Sequence, residues 1–129
     1  MARSPYPDLY HRLVANTAEP ENAQACWCWT AKRDRWGYGR LNVYVPGLGG
    51  VATLMAHISL WVWMETSPVS VDEFYLYYQE FVASGLELDH LCVTPNCVYP
   101  GHHEAVTASV NCQRRNARRD ADLGFSPTA

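Results

Sequence analysis

Two cysteines and a histidine recur at five-residue intervals in the last third of the chain. They are Cys92, Cys97 and His102, a C-x4-C-x4-H run within the segment DHLCVTPNCVYPGHH. Thiolate and imidazole groups are the ligands that Zn²⁺ takes in structural sites, and a short loop lets one ion hold several of them. The run therefore predicts a fold organised around a metal-bound loop, with Asp89 and His90 just outside it.

The chain has the size and composition of a single globular domain. It has 129 residues, 48% of them hydrophobic, which is enough for a modest core that a metal ion would help to hold together. Its apolar runs are far shorter than the roughly 20 residues of a membrane span, and the opening MARSPYPDLY lacks the apolar segment of a signal peptide. We therefore expect a soluble, cytoplasmic protein whose five cysteines serve metal binding or packing.

Positive charge is concentrated, although the chain as a whole is acidic. The formal net charge of -3 by itself argues against a nucleic-acid partner. Most lysines and arginines nevertheless fall in residues 32–40 and 114–119, and each stretch is a candidate phosphate-binding surface. From charge alone, a merely solvated surface explains them equally well. The candidate DNA-binding residues are Arg33, Arg35, Arg40, Arg114, Arg115, Arg118 and Arg119.

The first half of the chain predicts an N-terminal arm followed by a hairpin. Residues 1–25 are polar and contain prolines, with a short helical pattern near their middle, and are expected to be an arm beside the ordered core. Residues 36–45 alternate so that Leu41, Val43 and Val45 share one face, as in a half-buried strand. The following PGLGG is typical of a turn to a second strand.

Two helices are expected next. Thr53 has the side chain of a helix N-cap, for a helix to about residue 64 in which His57 is expected to be a hydrogen-bonded core residue. A second helical pattern covers residues 71–83. Its broad aromatic face can pack on the chain's own core or form a dimer contact. That face carries Phe74, Tyr77, Tyr78 and Phe81.

A final helix is predicted to begin after Thr107, which has the side chain of an N-cap. In its sequence, ASVNCQRRNARR, one face carries Asn111 together with Arg114, Arg115 and Arg118, at helical spacings of three, four and seven. An amide and three guanidinium groups on one face suit contact with phosphates. The helix is therefore a candidate nucleic-acid contact.

The segment 26–119 resembles the HNH endonucleases of the ββα-metal, or His-Me finger, superfamily, and most closely the phage-type HNH and His-Cys box homing endonucleases. The matching motifs are CWCWT, GYGRL, MAHISL, LDHLC, NCVYPGHH and VTASVN, in the family's order. The resemblance implies an α+β fold: a small antiparallel sheet, a zinc-stabilised ββα-metal finger and flanking helices. Residues 120–129 are then expected to be a flexible tail, as 1–25 are an arm.

The resemblance implies catalytic roles for four residues. A histidine at the position of His90 is the family's general base, which takes a proton from the water that attacks phosphorus. Asp89 and Asn111 match ligands of a single Mg²⁺ that stabilises the leaving 3′ oxygen. Arg40 matches an arginine that contacts phosphate from a neighbouring strand, although such a residue can bind DNA without a chemical role.

The resemblance also implies a fourth zinc ligand. Cys26, from CWCWT, joins Cys92, Cys97 and His102 in a closed site of the kind that stabilises folds. The competing ligand is Cys28, but the family places its cysteine before the first tryptophan, which favours Cys26.

Three other residues carry weaker expectations. Cys112 is expected to be a buried thiol, and His103 to be either exposed or an alternative metal ligand. Tyr99 stands where relatives have an asparagine that braces the loop carrying the base. The geometry of this loop is therefore less predictable than its ligands.

Two functions are compatible with these features. One is a Mg²⁺-dependent DNA endonuclease that leaves 5′-phosphate and 3′-hydroxyl ends, acting as a homodimer because one active site cuts one strand. The other is a zinc-stabilised DNA-binding module with a vestigial nuclease site. The target sequence, and a role in homing, restriction or phage DNA processing, are not indicated.

Overall fold

The computed structural model describes residues 5–122, which form four helices and two β-hairpins. In chain order these are α1 (Pro5–Ala15), β1 (Arg40–Val45), β2 (Gly50–Met55), α2 (Ala56–Thr66), α3 (Val71–Ala83), β3 (Leu86–His90), β4 (His103–Thr107) and α4 (Ala108–Asp122). The mixture of helices with small antiparallel sheets confirms the predicted α+β class. None of the helices within residues 5–122 is long and apolar enough to cross a membrane.

The first hairpin pairs β1 with β2 in antiparallel register. The strands are joined by the turn Pro46–Leu48, followed by Gly49 at φ 68°, a left-handed conformation that glycine adopts without steric cost. Leu41, Val43 and Val45 are buried, as their alternation predicts.

Thr53 lies inside β2, so its prediction as a helix N-cap was wrong. Its hydroxyl donates to Oδ1 of Asn42 on the paired strand (2.8 Å). α2 begins only at Ala56 and has no side-chain cap at Met55. A β-branched threonine suits both positions, and here pairing across the hairpin decides between them.

The hydrophobic core lies between the first hairpin and the helices α1, α2 and α3. Leu9 and Leu13 of α1 are almost fully buried in it. The N-terminal segment expected to stand beside the core as an arm therefore contributes to it. Trp29 of the CWCWT motif is also buried, and its indole N–H donates to the carbonyl of Lys32 (3.1 Å).

The aromatic face of α3 packs on this chain's own core. Phe74 has no exposed surface, and Tyr78 is buried with its hydroxyl accepting the backbone N–H of Met55 (2.9 Å). Tyr77 and Phe81 are partly buried against the same core. Two of the four residues considered for a dimer contact are thus interior residues.

The second hairpin leads directly into the last helix. β3 and β4 pair antiparallel, and α4 packs against both. The Oγ1 of Thr107 accepts the backbone N–H of Val110 (3.2 Å), which confirms the predicted N-cap. Residues 120–122, predicted as the start of a flexible tail, continue α4, and the rest of that tail lies outside the described residues. The strand, strand, helix order positions the candidate site.

Candidate metal centre and candidate active site

Three cysteines and one histidine form a compact cluster beside the second hairpin. One ligand atom from each of Cys26, Cys92, Cys97 and His102 lies within 4.8 Å of the others. The Sγ atoms of Cys26 and Cys97 are each 3.6 Å from Nδ1 of His102. Usual Zn–S and Zn–N bond lengths at a tetrahedral angle place sulfur and nitrogen about 3.5 Å apart. The cluster can therefore bind a metal ion such as zinc.

Pairing between two distant segments brings Cys26 to this cluster. Backbone N–H groups of Trp29 and Val98 donate to the carbonyls of Asn96 and Trp27, each at 2.8 Å, and the backbones of Cys28 and Cys97 pair as an isolated antiparallel β-bridge. Cys28 itself lies outside the four-residue cluster, as the sequence favoured. Burial raises the pKa of the Cys97 thiol to about 12, so a bound cation would be needed to hold it as a thiolate at neutral pH.

Tyr99 braces the metal-binding loop by aromatic stacking. Its ring lies 4.4 Å from that of Trp27 at an interplanar angle of 11°, and 4.7 Å from the ring of His102. A stacked tyrosine can thus support a loop for which the resemblance implies an asparagine. The sequence could not indicate this contact because Trp27 and Tyr99 are far apart along the chain.

The four predicted catalytic residues line one cleft of about 990 Å³. Arg40 reaches it from β1, Asp89 and His90 from β3, and Asn111 from α4. Of the predicted DNA-binding residues, Arg115, Arg118 and Arg119 line it as well. Arg33 and Arg35 lie on the exposed loop before β1, where the Arg35 guanidinium is 4.2 Å above the ring of Trp36.

His90 lies among aromatic rings at the end of β3. Its ring centroid is 4.3 Å from that of His103, 4.7 Å from His57 and 5.3 Å from Tyr38. Its Nε2 is buried without a hydrogen-bond partner in residues 5–122. Burial lowers its pKa, against the opposing effect of Asp89 and nearby backbone carbonyls. The ring is therefore neutral near pH 7, and its Nε2 is enclosed by the surrounding rings.

Asp89 is held by two arginines of α4. Arg118 donates from Nη1 to Oδ1 and from Nη2 to Oδ2, each at 3.1 Å, and Arg114 donates to Oδ2 at the same distance. Burial alone would raise the pKa of this carboxyl, but the bonds from Arg118 and Arg114 lower it overall. Arg114 also donates a hydrogen bond to Glu104, which pairs with Asp89 across the β3–β4 hairpin. Unlike Arg118, it does not line the cleft.

Asn111 faces a carboxylate that the sequence analysis missed. Its Nδ2 donates to Oε1 of Glu87 (2.8 Å). Glu87 precedes Asp89 by two positions, so the two carboxylates share a face of β3. Only the period of the strand could have indicated this residue. Carboxylate and amide oxygens are the donors that Mg²⁺ prefers, so these three residues fit the implied ion in chemistry.

Arg40 is held at the cleft by a residue that the sequence analysis also missed. Its Nε and Nη2 both donate to Oδ2 of Asp34 (3.2 Å each). The other oxygen of Asp34 accepts the backbone N–H groups of Trp36 and Tyr38. This carboxylate therefore ties the loop before β1 to the arginine.

Three expectations from the sequence need correction. His57 is buried, as predicted, but its Nδ1 finds no partner among the described residues, so its ring is not a fully hydrogen-bonded core histidine. His103 is neither exposed nor part of the metal cluster: it is 5% exposed with both ring nitrogens unpartnered. Burial, with His90 nearby, lowers its pKa to about 4. Cys112 is exposed rather than buried because α4 turns it to solvent.

Comparison with protein-family models, with curated proteins and with solved structures gives no match to this chain. The residues of the chain form a cluster of three cysteines and a histidine, beside a cleft that gathers a neutral histidine, oxygen donors and arginines.

Proposed function

We propose that this protein is a Mg²⁺-dependent DNA endonuclease of the HNH type, with a structural zinc ion. One observation carries the proposal: Arg40, Asp89, His90 and Asn111, from three separate parts of the chain, line the same cleft. Asp89, His90 and Asn111 belong to the strand, strand, helix unit of β3, β4 and α4, the order that gives the ββα-metal superfamily its name, and Arg40 joins them from β1.

The Cys26, Cys92, Cys97 and His102 cluster supports a structural role for zinc. Its four protein ligands would complete a tetrahedral site with no open position, which holds a fold and does not activate water. Cys92, Cys97 and His102 all belong to the loop between β3 and β4. An ion bound there would fix the loop that begins directly after His90.

His90 has the properties of the general base. A water molecule in the cleft would attack the scissile phosphorus while passing a proton to the neutral imidazole of His90, which lines the cleft. The new P–O bond forms as the bond to the 3′ oxygen breaks. The departing oxygen takes a proton from solvent, which leaves 5′-phosphate and 3′-hydroxyl ends.

Asp89 and Asn111 would hold the Mg²⁺, whose charge would stabilise the leaving oxygen. In the structure the Asp89 oxygens accept hydrogen bonds from Arg114 and Arg118. A metal ion must therefore displace at least part of this contact. Phosphates of DNA bound in the cleft would compete for the guanidinium group of Arg118, which lines it, so DNA binding would assist metal binding.

The charge around the cleft supports double-stranded DNA as the partner. Arg115, Arg118 and Arg119 approach it from α4 and Arg40 from β1. Arginine contacts to phosphate position the duplex and carry little sequence information. We further propose a cytoplasmic homodimer, each chain presenting His90 to one strand of the duplex.

A DNA-binding module without catalysis is the second candidate. The observation that favours it is the state of Asp89, which is 2% exposed and bonded by two arginines. Such a carboxylate can simply fasten α4 to β3. In that case the basic cleft binds phosphates and the metal-ligand role of Asp89 is lost.

A cleavage assay separates the two candidates. Supercoiled plasmid and linear DNA of mixed sequence are incubated with the protein in Mg²⁺ or in EDTA, and binding is measured in parallel by gel shift. The proposal expects Mg²⁺-dependent cutting that His90→Ala abolishes and that His11→Ala, at an exposed histidine of α1, leaves unchanged. Binding without cutting in any divalent cation would favour the binding module.

A further inference from the structure

We infer that Glu87 is a positioning residue that turns the oxygen of the Asn111 amide toward the catalytic cation, an inference that rests on the proposed function. The contact behind it is the 2.8 Å hydrogen bond from Nδ2 of Asn111 to Oε1 of Glu87. It joins the helix α4 to the strand β3 in the cleft that the proposed Mg²⁺ ligands also line.

The chemistry of the two groups decides how the amide faces. An ionised carboxylate has only acceptor atoms, so the Asn111 amide must present Nδ2 to Glu87 and direct Oδ1 away from it. Only the amide oxygen can ligate Mg²⁺. Without Glu87 the amide could rotate and offer its nitrogen to the cation. Partners that orient a metal ligand typically change metal affinity by about 10- to 100-fold.

Glu87 places a negative charge in a cleft that several arginines line. Glu87 lines the same cleft as Arg115, Arg118 and Arg119. A negative charge in a cleft that receives phosphates weakens DNA binding by repulsion. It is useful there if it serves a cation, and its placement on the Asp89 face of β3 puts it beside that cation's proposed ligands.

Mn²⁺ binding tests the inference without relying on activity. Free Mn²⁺ is measured by its electron paramagnetic resonance signal, with the full-length protein alone and with a short duplex whose own binding is subtracted. Glu87→Ala removes the acceptor, whereas Glu87→Gln keeps an acceptor oxygen for Asn111. Glu80→Ala, at an exposed carboxylate of α3 that does not line the cleft, is the matched control.

The expected result is a pattern across the variants. Glu87→Ala should weaken Mn²⁺ binding about tenfold, Glu87→Gln should restore most of it, and Glu80→Ala should match the parent. In an Asn111→Ala background, Glu87→Ala should have no further effect, because its action passes through the amide. The Mg²⁺ concentration for half-maximal cleavage should shift in parallel, with the rate at saturating Mg²⁺ nearly unchanged.

Several outcomes would overturn the inference. One is that Glu87→Ala binds Mn²⁺ as tightly as the Glu80→Ala control. Another is that Glu87→Gln binds Mn²⁺ as weakly as Glu87→Ala, in which case the charge of Glu87, or direct ligation by it, causes the loss of affinity. Additive losses with Asn111→Ala, or a parent that binds no Mn²⁺, would also overturn it. If Mn²⁺ binding follows the expected pattern but no DNA is cut, only the nuclease proposal fails. If DNA is cut with an unchanged Mg²⁺ requirement in Glu87→Ala, only the role of Glu87 fails.

Discussion

Arg118 grips the Asp89 carboxylate through two parallel hydrogen bonds, Nη1 to Oδ1 and Nη2 to Oδ2, each 3.1 Å long. The carboxylate is 2% exposed, whereas the arginine side chain is 35% exposed. The guanidinium group thus reaches a buried acid from the surface of the cleft, where a DNA phosphate can compete for it. This contact links DNA binding to metal binding in the proposed reaction.

Replacing Arg118 with Ala should remove two hydrogen bonds from the Asp89 carboxylate and also weaken DNA binding. We expect tighter Mn²⁺ binding by the DNA-free protein, because one competitor for the carboxylate is gone, and a shallower dependence of DNA affinity on salt. Electron paramagnetic resonance and gel shifts over a salt series measure the two effects. Arg119→Ala is the control for the Mn²⁺ effect, because Arg119 also lines the cleft but pairs with Asp120 and not with Asp89. Unchanged Mn²⁺ binding with a lower melting temperature would indicate that Asp89 is purely structural.

Removing the imidazole of His90 should slow cutting strongly and preserve DNA binding. His90→Ala is expected to lower the single-turnover cleavage rate by about 10² to 10⁴, the usual contribution of a general base. DNA affinity and circular dichroism should match those of His11→Ala. Cutting by His90→Ala at the parent's rate would show that another group takes the proton.

The metal cluster should contain zinc and stabilise the fold. Metal analysis of the purified protein is expected to give about one zinc ion per chain, and Cys97→Ser should lose both the metal and the cooperative unfolding transition. Cys112→Ser changes an exposed thiol outside the cluster and should do neither. A folded parent free of zinc would contradict this prediction.

The stability of the protein should fall as the pH drops below about 6.5. His57, His90 and His103 all have lowered pKa values because of burial, that of His103 to about 4. Between the unfolded and folded pKa values the unfolded chain binds more protons, so the free energy of unfolding decreases as the solution is acidified. For His103 the loss is complete only below pH 4 and amounts to about 3 kcal/mol, since one pKa unit corresponds to about 1.4 kcal/mol.

A phenylalanine at His103 isolates this effect. His103→Phe keeps a ring of similar shape and removes two nitrogens that have no partner within residues 5–122. Urea unfolding at several pH values should show a flatter dependence for the variant, while loss of metal at low pH affects both proteins alike. Parallel pH curves for the two proteins would exclude His103 as a source of the acid sensitivity.

Phe74 should matter for stability and not for association. It is a fully buried residue of α3, so Phe74→Ala is expected to cost about 3 to 5 kcal/mol of unfolding free energy. Light scattering should give the same mass for the variant as for the parent wherever the variant is folded. A change from dimer to monomer in a folded variant would return α3 to the dimer interface.

Much of the local structure was predictable from the sequence alone. Alternation identified the buried face of β1, the helical period identified α3, and Thr107 marked the start of α4. The C-x4-C-x4-H run identified three members of the metal cluster, because ligand spacing within a short loop is a local property. The resemblance supplied the fourth member, Cys26, which is too far from the other three along the chain for spacing to indicate it.

Tertiary structure decided which partner each of these groups has. Thr53 could have capped a helix, but pairing with Asn42 placed it in a strand. Asp89 and Glu87 share a face of β3 by the strand period, yet only the packing of α4 assigns the arginines to one and Asn111 to the other. The burial of Leu9 and the gathering of His57 against His90 likewise depend on distant segments. The physical reason is that periodicity and caps depend on neighbours along the chain, whereas burial, ion pairing and pKa depend on neighbours in space.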